Sequence, residues 1–338
     1  MYDVITFGAA TKDIFIKTKK LKVIENKSFA TGKGVCFNLG SKVDIDEILF
    51  ASGGGGTNTA VTFANQGFKV AYCGAVGKDL AGQEIIEELG NLSVGAELIS
   101  KSETQPTNHS IVIDGIKNDR TILVYRGASG ELKKDDIPWS KLQTKWFYIA
   151  PLSGYLCDRF GEIVNFAHKN NIKVALNPGN CQLSLPITTL KVILDKVDIL
   201  ILNQEEASIL TGIPFQKEKD IFKKIDEICT GIAIMTKGGR GVVISDGQYL
   251  YRAVPPPKRK VADETGAGDA FGSGFVSGFL QSNGDVEFAT QLAMANGVAC
   301  LQKTGAKAGL LKKNEKFYTV KVKKEPCSIS GPCQCRAR

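Results

Sequence analysis

The apolar and polar positions divide the chain into two kinds of segment. From Trp146 onward, short apolar runs at 146–150, 172–177, 198–202 and 232–236 alternate with helix-like stretches at 159–169, 183–195, 205–210 and 219–229. Short continuous apolar runs predict strands buried on both faces, and strand–helix alternation predicts a mostly parallel sheet covered by helices on both sides. Nearer the start, residues 2–7 predict a buried strand ending at Gly8, residues 69–77 another, and 82–89 a helix. A hairpin is expected over 242–253, and two further helices over 270–280 and 286–301.

Two segments break this pattern. Residues 14–50 are polar, with short apolar alternations such as Ile45, Ile48 and Phe50, and 109–114 and 120–126 read as two strands around a turn at 115–119. Both predict a small sheet set apart from the core, drawn from about 14–52 and 107–127 and placed to close over a ligand as a lid. The expected fold class is therefore α/β, with a central parallel sheet, helices on both faces and a β-sheet lid. A single domain over 1–310 is followed by a basic, cysteine-containing tail over 311–338.

Composition narrows the picture. The chain has 338 residues with 43% hydrophobic and 23% charged content, ordinary for a soluble globular protein. No apolar run is long enough to span a bilayer, and the N-terminus has neither a basic leader nor a cleavage site, so a cytoplasmic protein without membrane attachment is expected. Nine cysteines without a framework suggest reduced thiols. The net charge is +8, and from Lys303 onward ten Lys or Arg stand against two Asp or Glu, so the first 302 residues are balanced. That distribution gives no basic face for nucleic acid. His109 and His168 are isolated, and Cys327, Cys333 and Cys335 lack a fourth ligand, so no metal site is assigned to them.

The chemistry concentrates at turns that precede helices. Residues 263–274 follow the Pro255–Pro257 run and the basic patch 258–260, and place Gly266, Ala267 and Gly268 just before a helix. Small residues there let backbone N–H groups converge on an anion, helped by the helix dipole. Asp269 is then either a helix cap or a base held beside a transferring phosphoryl group. Ser52 to Asn58 is a glycine-rich turn opening a helix; Asn58 can both donate to and accept from a polyol, or cap the helix. Asp13, just past the first strand, is a turn residue or an acceptor for sugar hydroxyls. Asn203 and Glu206 have capping-box spacing, which also puts them on one face for water around Mg²⁺. Thr236, Gly238 and Gly241 leave room for a base or ribose or form a plain loop, and Asn296 offers an amide to a base edge or is a surface amide. Gly266-x-Gly268-x-x-x-Gly272 echoes a dinucleotide fingerprint, but lies near the wrong end of the chain for one.

In combination, the order of these motifs resembles the ribokinase-like (PfkB) family of carbohydrate and nucleoside kinases over about residues 2–310. The resemblance rests on Gly53 to Asn58, Asn203 to Glu206, Thr236 to Gly241 and, most specifically, Asp263-Glu-Thr-Gly-Ala-Gly-Asp269. It implies an ATP-dependent kinase with Asp269 as general base and Gly266, Ala267 and Gly268 as anion hole. Asp13, Gly54, Gly55 and Asn58 would hold the acceptor. Asn203 and Glu206 would organise Mg²⁺ and phosphates, while Thr236, Gly238, Gly241 and Asn296 line the nucleotide site. Asp263 and the Thr265 carbonyl match positions where many members bind a monovalent cation, often K⁺. Gly55 stands where many ribokinases carry Lys, Ala150-Pro151 near where they carry a substrate-contacting Glu, and Glu264 beside Asp263 in place of a small residue. Arg126, at the end of a lid strand, suits an acidic or phosphorylated sugar. The expected acceptor is a sugar or sugar derivative, with a nucleoside as the alternative if Phe15, Phe37 and Phe50 sandwich a base. Exposed lid edges suggest a homodimer. The helix dipole is expected to lower the Asp269 pKa below its ordinary value.

Overall fold

The computed structural model describes residues 1–27, 32–114, 120–130, 132, 136–257 and 261–327. The turn at 115–119, the basic patch 258–260, Cys333 and Cys335 lie outside the described residues.

The strand Tyr2–Phe7 sits within an eleven-stranded sheet, paired in parallel with Thr144–Ile149 on one side and Val70–Gly77 on the other. Beyond Thr144–Ile149 the sheet continues in parallel through Lys173–Leu176, Ile199–Asn203 and Ile232–Thr236. It then turns antiparallel through Val242–Ser245 and Tyr249–Ala253. Two short strands that the sequence pattern did not predict, Val94–Gly95 and Ile99–Ser102, pair with Val70–Gly77.

The apolar runs are continuous because successive strand residues face opposite sides and both sides are covered. Ile5, Phe7, Leu200, Leu202, Ala233 and Met235 enter the core on one face. Val4, Ile199, Ile201, Ile232 and Ile234 enter the core on the other. On this second face lie the helices Gly55–Asn65, Ala267–Gln281 and Val286–Cys300. A Cβ on Gly278 would come within 2.8 Å of Ala289 Cα, so the last two helices meet backbone to backbone.

Helix boundaries shift from expectation for local reasons. The stretch 183–195 divides into Asn180–Leu183 and Ile187–Leu194, because Pro186 lacks an N–H to continue the first helix and opens the second. The stretch 159–169 forms Phe160–Lys169, preceded by the short helix Gly154–Asp158. The helix expected from Ala270 begins at Ala267, which brings Gly268 and Asp269 into its first turn.

The lid is present as a separate four-stranded sheet ordered Arg120–Tyr125, Asn108–Asp114, Thr11–Lys17, Glu47–Gly53. A hairpin of Lys22–Glu25 with Lys33–Cys36 accompanies it. Two expectations are corrected. Cys157 and Cys181 form a disulfide across a Cα–Cα distance of 6.4 Å, so these two are not free thiols. The basic C-terminal segment is not wholly a tail either, since Lys323–Pro326 pairs antiparallel with Tyr249–Ala253 as the sheet's outer strand. Among the described residues no helix is long and apolar enough to cross a membrane.

Candidate active site

Five of the predicted residues lie at strand ends or helix starts. Asn203 and Thr236 close the strands Ile199–Asn203 and Ile232–Thr236, and Gly53 ends a lid strand just before the helix carrying Asn58. Asp269 lies in the first turn of Ala267–Gln281. Crevices at the carboxyl ends of parallel strands are where such sheets bind ligands.

At the centre, Asn58 Nδ2 donates to Asp269 Oδ2 at 2.9 Å, joining residues 211 positions apart. Asn58 Oδ1 is buried with no hydrogen-bond partner among the described residues, leaving an acceptor beside the carboxylate. Gly54 makes this approach possible: with φ 94° it turns the chain into the helix, and a Cβ there would strike the Ala9 carbonyl. A Cβ on Gly55 would lie 3.3 Å from Asp269 Oδ1 and 3.0 Å from the Ala150 Cβ. A side chain at position 55 would therefore be crowded between the carboxylate, Ala150 and Pro151. Burial pushes the Asp269 pKa up, with the Asn58 hydrogen bond opposing it. The expected lowering is therefore overturned, with desolvation the largest cause.

The turn expected to form the anion hole lies next to this pair. Gly266 caps the helix in a left-handed conformation, φ 77°, and a Cβ there would collide with Ala306. The amides of Gly268 and Asp269 donate to no acceptor among the described residues, as expected of first-turn N–H groups. Ala267 and Gly268 also border a cavity of about 180 Å³ lined by Thr236, Gly238, Gly241, Phe271, Met294 and Val298. Its predominantly apolar walls would suit a flat base beside the Gly266–Gly268 turn.

Asn296 does not border this cavity. It is fully buried: its Nδ2 donates to the Ala270 carbonyl at 2.8 Å, and its Oδ1 accepts from the Leu311 amide at 2.9 Å. The expectation that it meets the base is corrected. On an α-helix it points roughly 200° away from Met294, whereas Gly297, Val298 and Leu301 share the Met294 face. Met294, Val298 and Phe271 are the lining residues that the sequence reading missed; the period of the last helix carried that signal.

Asn203 and Glu206 form the capping box in full, each side chain accepting from the other's amide at 2.8 Å. Burial also pushes the Glu206 carboxyl up to about 6, with the Asn203 hydrogen bond opposing and the charges of Glu205 and Asp269 adding to it. Tyr148 is raised by burial and by both Asp269 and Glu206, which ties the two carboxylates to one poorly solvated region. Two carboxylates short of positive charge fit a divalent ion arriving with phosphates. Among the described residues no group of three His, Cys, Asp or Glu could hold a metal alone.

Asp13 is buried in the lid, where its Oδ1 accepts from Ser110 at 2.5 Å and a Cβ on Gly53 would collide with its Oδ2. Burial raises its pKa, against the Ser110 hydrogen bond and the nearby charge of Lys307. Arg126 stands exposed just past Arg120–Tyr125, and no contact draws it to Asp269. Phe37 and Phe50 are also exposed, while Phe15 is half-buried.

The monovalent cation site does not fit. Asp263 Oδ1 already faces Arg120 Nη1 at 3.0 Å and accepts from the Thr265 amide and hydroxyl, while its Oδ2 accepts from the Gly305 amide. The Thr265 carbonyl, the other expected ligand, accepts from the Cys300 thiol at 3.5 Å.

Known proteins resemble this chain over most of its length. Residues 31–313 match the pfkB family of carbohydrate kinases. A ribokinase of Lactococcus lactis is 32% identical over 286 residues, covering 82% of this chain and 88% of its own length. A cytidine kinase of Thermococcus kodakarensis is 24% identical over 273 residues, 78% of this chain and 95% of the relative. Among solved structures, Arabidopsis thaliana ribokinase complexed with ribose and ATP aligns with a TM-score of 0.75 at 21% identity, covering 92% of this chain and 96% of that one. Burkholderia thailandensis nucleoside kinase in complex with inosine aligns at 0.71 and 16% identity, covering 91% and 94%.

Proposed function

The chain belongs to the pfkB family of carbohydrate kinases and is a phosphotransferase with an alcohol acceptor; we propose that it transfers the γ-phosphoryl group of ATP to a primary hydroxyl of a sugar or sugar derivative, with Asp269 as the base. The observation that carries this reading is the Asn58–Asp269 pair, with an unpartnered acceptor on Asn58. The reacting hydroxyl donates to Asp269, while other hydroxyls of the acceptor donate to Asn58 Oδ1 and, from the lid, to Asp13.

The hydroxyl oxygen attacks the γ-phosphorus in line, its proton passes to an Asp269 carboxylate oxygen, and the bond to the β–γ bridging oxygen breaks. Phosphoryl transfer has a loose transition state, so the alcohol loses its proton late and the base need not be strong. A carboxyl raised by burial is nonetheless better matched to the task than an ordinary one. The Gly268 and Asp269 amides receive the charge on the transferring oxygens, where fixed donors in a poorly solvated site contribute most. Thr236, Gly238, Gly241 and the apolar Phe271, Met294 and Val298 hold the adenosine. Glu206, with Asn203 fixing its orientation, would hold through water the Mg²⁺ that accompanies the nucleotide, which neutralises phosphate charge when bound.

A nucleoside acceptor is the second reading, favoured by the lid face beside Asp13, where Phe15, Leu49 and Val112 stand in register. We also infer that the lid pairs with a second copy of this chain. Leu123, Ile111, Ile14 and Phe50 form a cross-strand row, with Leu123 and Phe50 more than half exposed. Sedimentation showing only monomer at working concentration removes that inference. The main reading is tested by ADP release across pentoses, hexoses, sugar derivatives and nucleosides, with thermal shift as a binding readout. Release with acceptors that carry a primary hydroxyl supports it, and release with none of the panel overturns it.

A further inference from the structure

Arg120 opens the lid's edge strand Arg120–Tyr125, opposite Asp114, on the same side as Ile122 and Val124. Val124 pairs with Ser110, which in turn pairs with Asp13, so Arg120 and Asp13 share one face of the lid. From this face the Arg120 guanidinium crosses to the segment leading into the anion hole. Its Nη1 donates to Asp263 Oδ1 at 3.0 Å and to Thr265 Oγ1 at 2.8 Å. The Thr265 hydroxyl donates to Asp263 Oδ1 at 2.7 Å, and the Gly305 amide donates to Asp263 Oδ2 at 2.9 Å. Gly305 immediately precedes Ala306, against which the left-handed Gly266 packs. One cation therefore sits at the junction of the lid, the 263–265 turn and the loop that shapes the anion hole. It is held by a carboxylate whose side chain is only 7% exposed.

The geometry points to Arg120 as a built-in cation that neutralises Asp263 and fixes the turn ahead of Gly266–Gly268, so that phosphoryl transfer by this chain needs no monovalent metal ion. Three observations carry it. The Asp263 carboxylate already accepts four hydrogen bonds, from Arg120, Gly305 and twice from Thr265. The Thr265 carbonyl lies 3.5 Å from the Cys300 thiol, which also reaches the Ala306 carbonyl at 3.6 Å. A metal cation entering beside a guanidinium would also meet like charge. Arg120 touches no reacting atom, so it is a positioning residue, and because it rides on the lid it links lid placement to the shape of the anion hole.

The test rests on the kinase reading for its rate arm and is independent of that reading for its binding arm. Initial rates of the whole chain are measured with K⁺, Na⁺ or tetramethylammonium at constant ionic strength, and are expected to agree within about twofold. In Arg120→Met, kcat is expected to fall about three- to tenfold with a smaller change in the KM for ATP, because a partly exposed charge-assisted hydrogen bond is lost. Arg120→Lys restores part of that loss. Thermal unfolding with K⁺ against tetramethylammonium is expected to show no shift for the unaltered chain and a K⁺-dependent rise for Arg120→Met, whose Asp263 has lost its guanidinium. Severalfold activation of the unaltered chain by K⁺, or its stabilisation by K⁺ over tetramethylammonium, overturns the inference. So does an Arg120→Met variant that is folded, has unchanged kcat and ignores K⁺. Should Arg120→Met fail to fold, the cation series on the unaltered chain and on Arg120→Lys decides the matter. Absence of transfer to every acceptor would count against the kinase reading alone, because the K⁺ unfolding comparison still stands.

Discussion

Replacing Asp269 by Asn separates the two roles that its burial imposes. The substitution keeps the side chain's shape beside Asn58, 2.9 Å away, and removes the proton acceptor. A positioned general base contributes about 10²- to 10⁴-fold, roughly 3–5 kcal/mol of barrier. The hydrogen bond from Asn58 also loses its charge assistance, about half its strength, which loosens the orientation of the pair. Stability moves the other way. Burial raises the Asp269 pKa in the folded chain above its unfolded value. The folded state therefore binds more protons than the unfolded state between those two values, and stability falls as pH rises through that window. The penalty is absent below the unfolded value and complete above the folded one. Asn carries no such penalty. We expect kcat for ADP release to drop by about 10²- to 10⁴-fold, the Kd for ADP by calorimetry to stay within about threefold, and the Tm at neutral pH to equal or exceed that of the unaltered chain. A kcat within about threefold of the unaltered value would refute Asp269 as the base. A Tm that drops at neutral pH but not in mild acid would refute the burial argument.

Further expectations follow from the neighbouring residues. Glu206, raised to about 6, should give kcat/KM an acidic limb near that value, with activity lost as pH falls and the carboxylate protonates; Glu206→Gln should flatten the limb and lower kcat/KM overall. A limb that persists unchanged in the variant assigns it elsewhere. Asn296→Ala leaves the Leu311 amide and the Ala270 carbonyl without their partner, which should cost about 2–4 kcal/mol in urea unfolding while ADP affinity is kept. Loss of ADP affinity without loss of stability would instead return Asn296 to the nucleotide site. Gly55→Ala puts a methyl 3.3 Å from Asp269 Oδ1, so the acceptor KM should rise about tenfold or more with ATP binding unchanged. An unchanged acceptor KM would place the acceptor hydroxyl away from Gly55.

Much of the architecture was legible because burial on both faces writes itself as unbroken apolar runs. The two glycine turns were legible for a related reason: Gly54 and Gly266 adopt positive φ in places where a Cβ meets backbone or Ala306, so other residues are excluded there. Other features were hidden. The sign of the Asp269 shift depends on how deeply the first turn is packed, which a dipole argument from sequence omits. Arg120 meets Asp263 across 143 residues, a contact set by lid register and docking rather than by any local pattern. Cys157 and Cys181 approach because two successive strand–helix units return their ends to the same place, which a spacing of 24 does not reveal. The orientation of Asn296 was available in principle, since Met294, Val298 and Leu301 repeat at helical spacing and Asn296 falls opposite them.

The bond between Asn58 and Asp269 also bears on how the chain is made. Asn58 leaves the ribosome 211 residues ahead of its partner, a delay of roughly 10–40 s at ordinary synthesis speeds. Throughout that interval Asn58 and Thr62, both polar and both destined for the interior, have no helix to pack against, because Ala267–Gln281 and Val286–Cys300 have yet to be synthesised. A nascent chain can therefore assemble the early strands but holds neither the proposed proton acceptor nor the proposed anion hole. On the proposed mechanism, an unfinished molecule consumes no ATP.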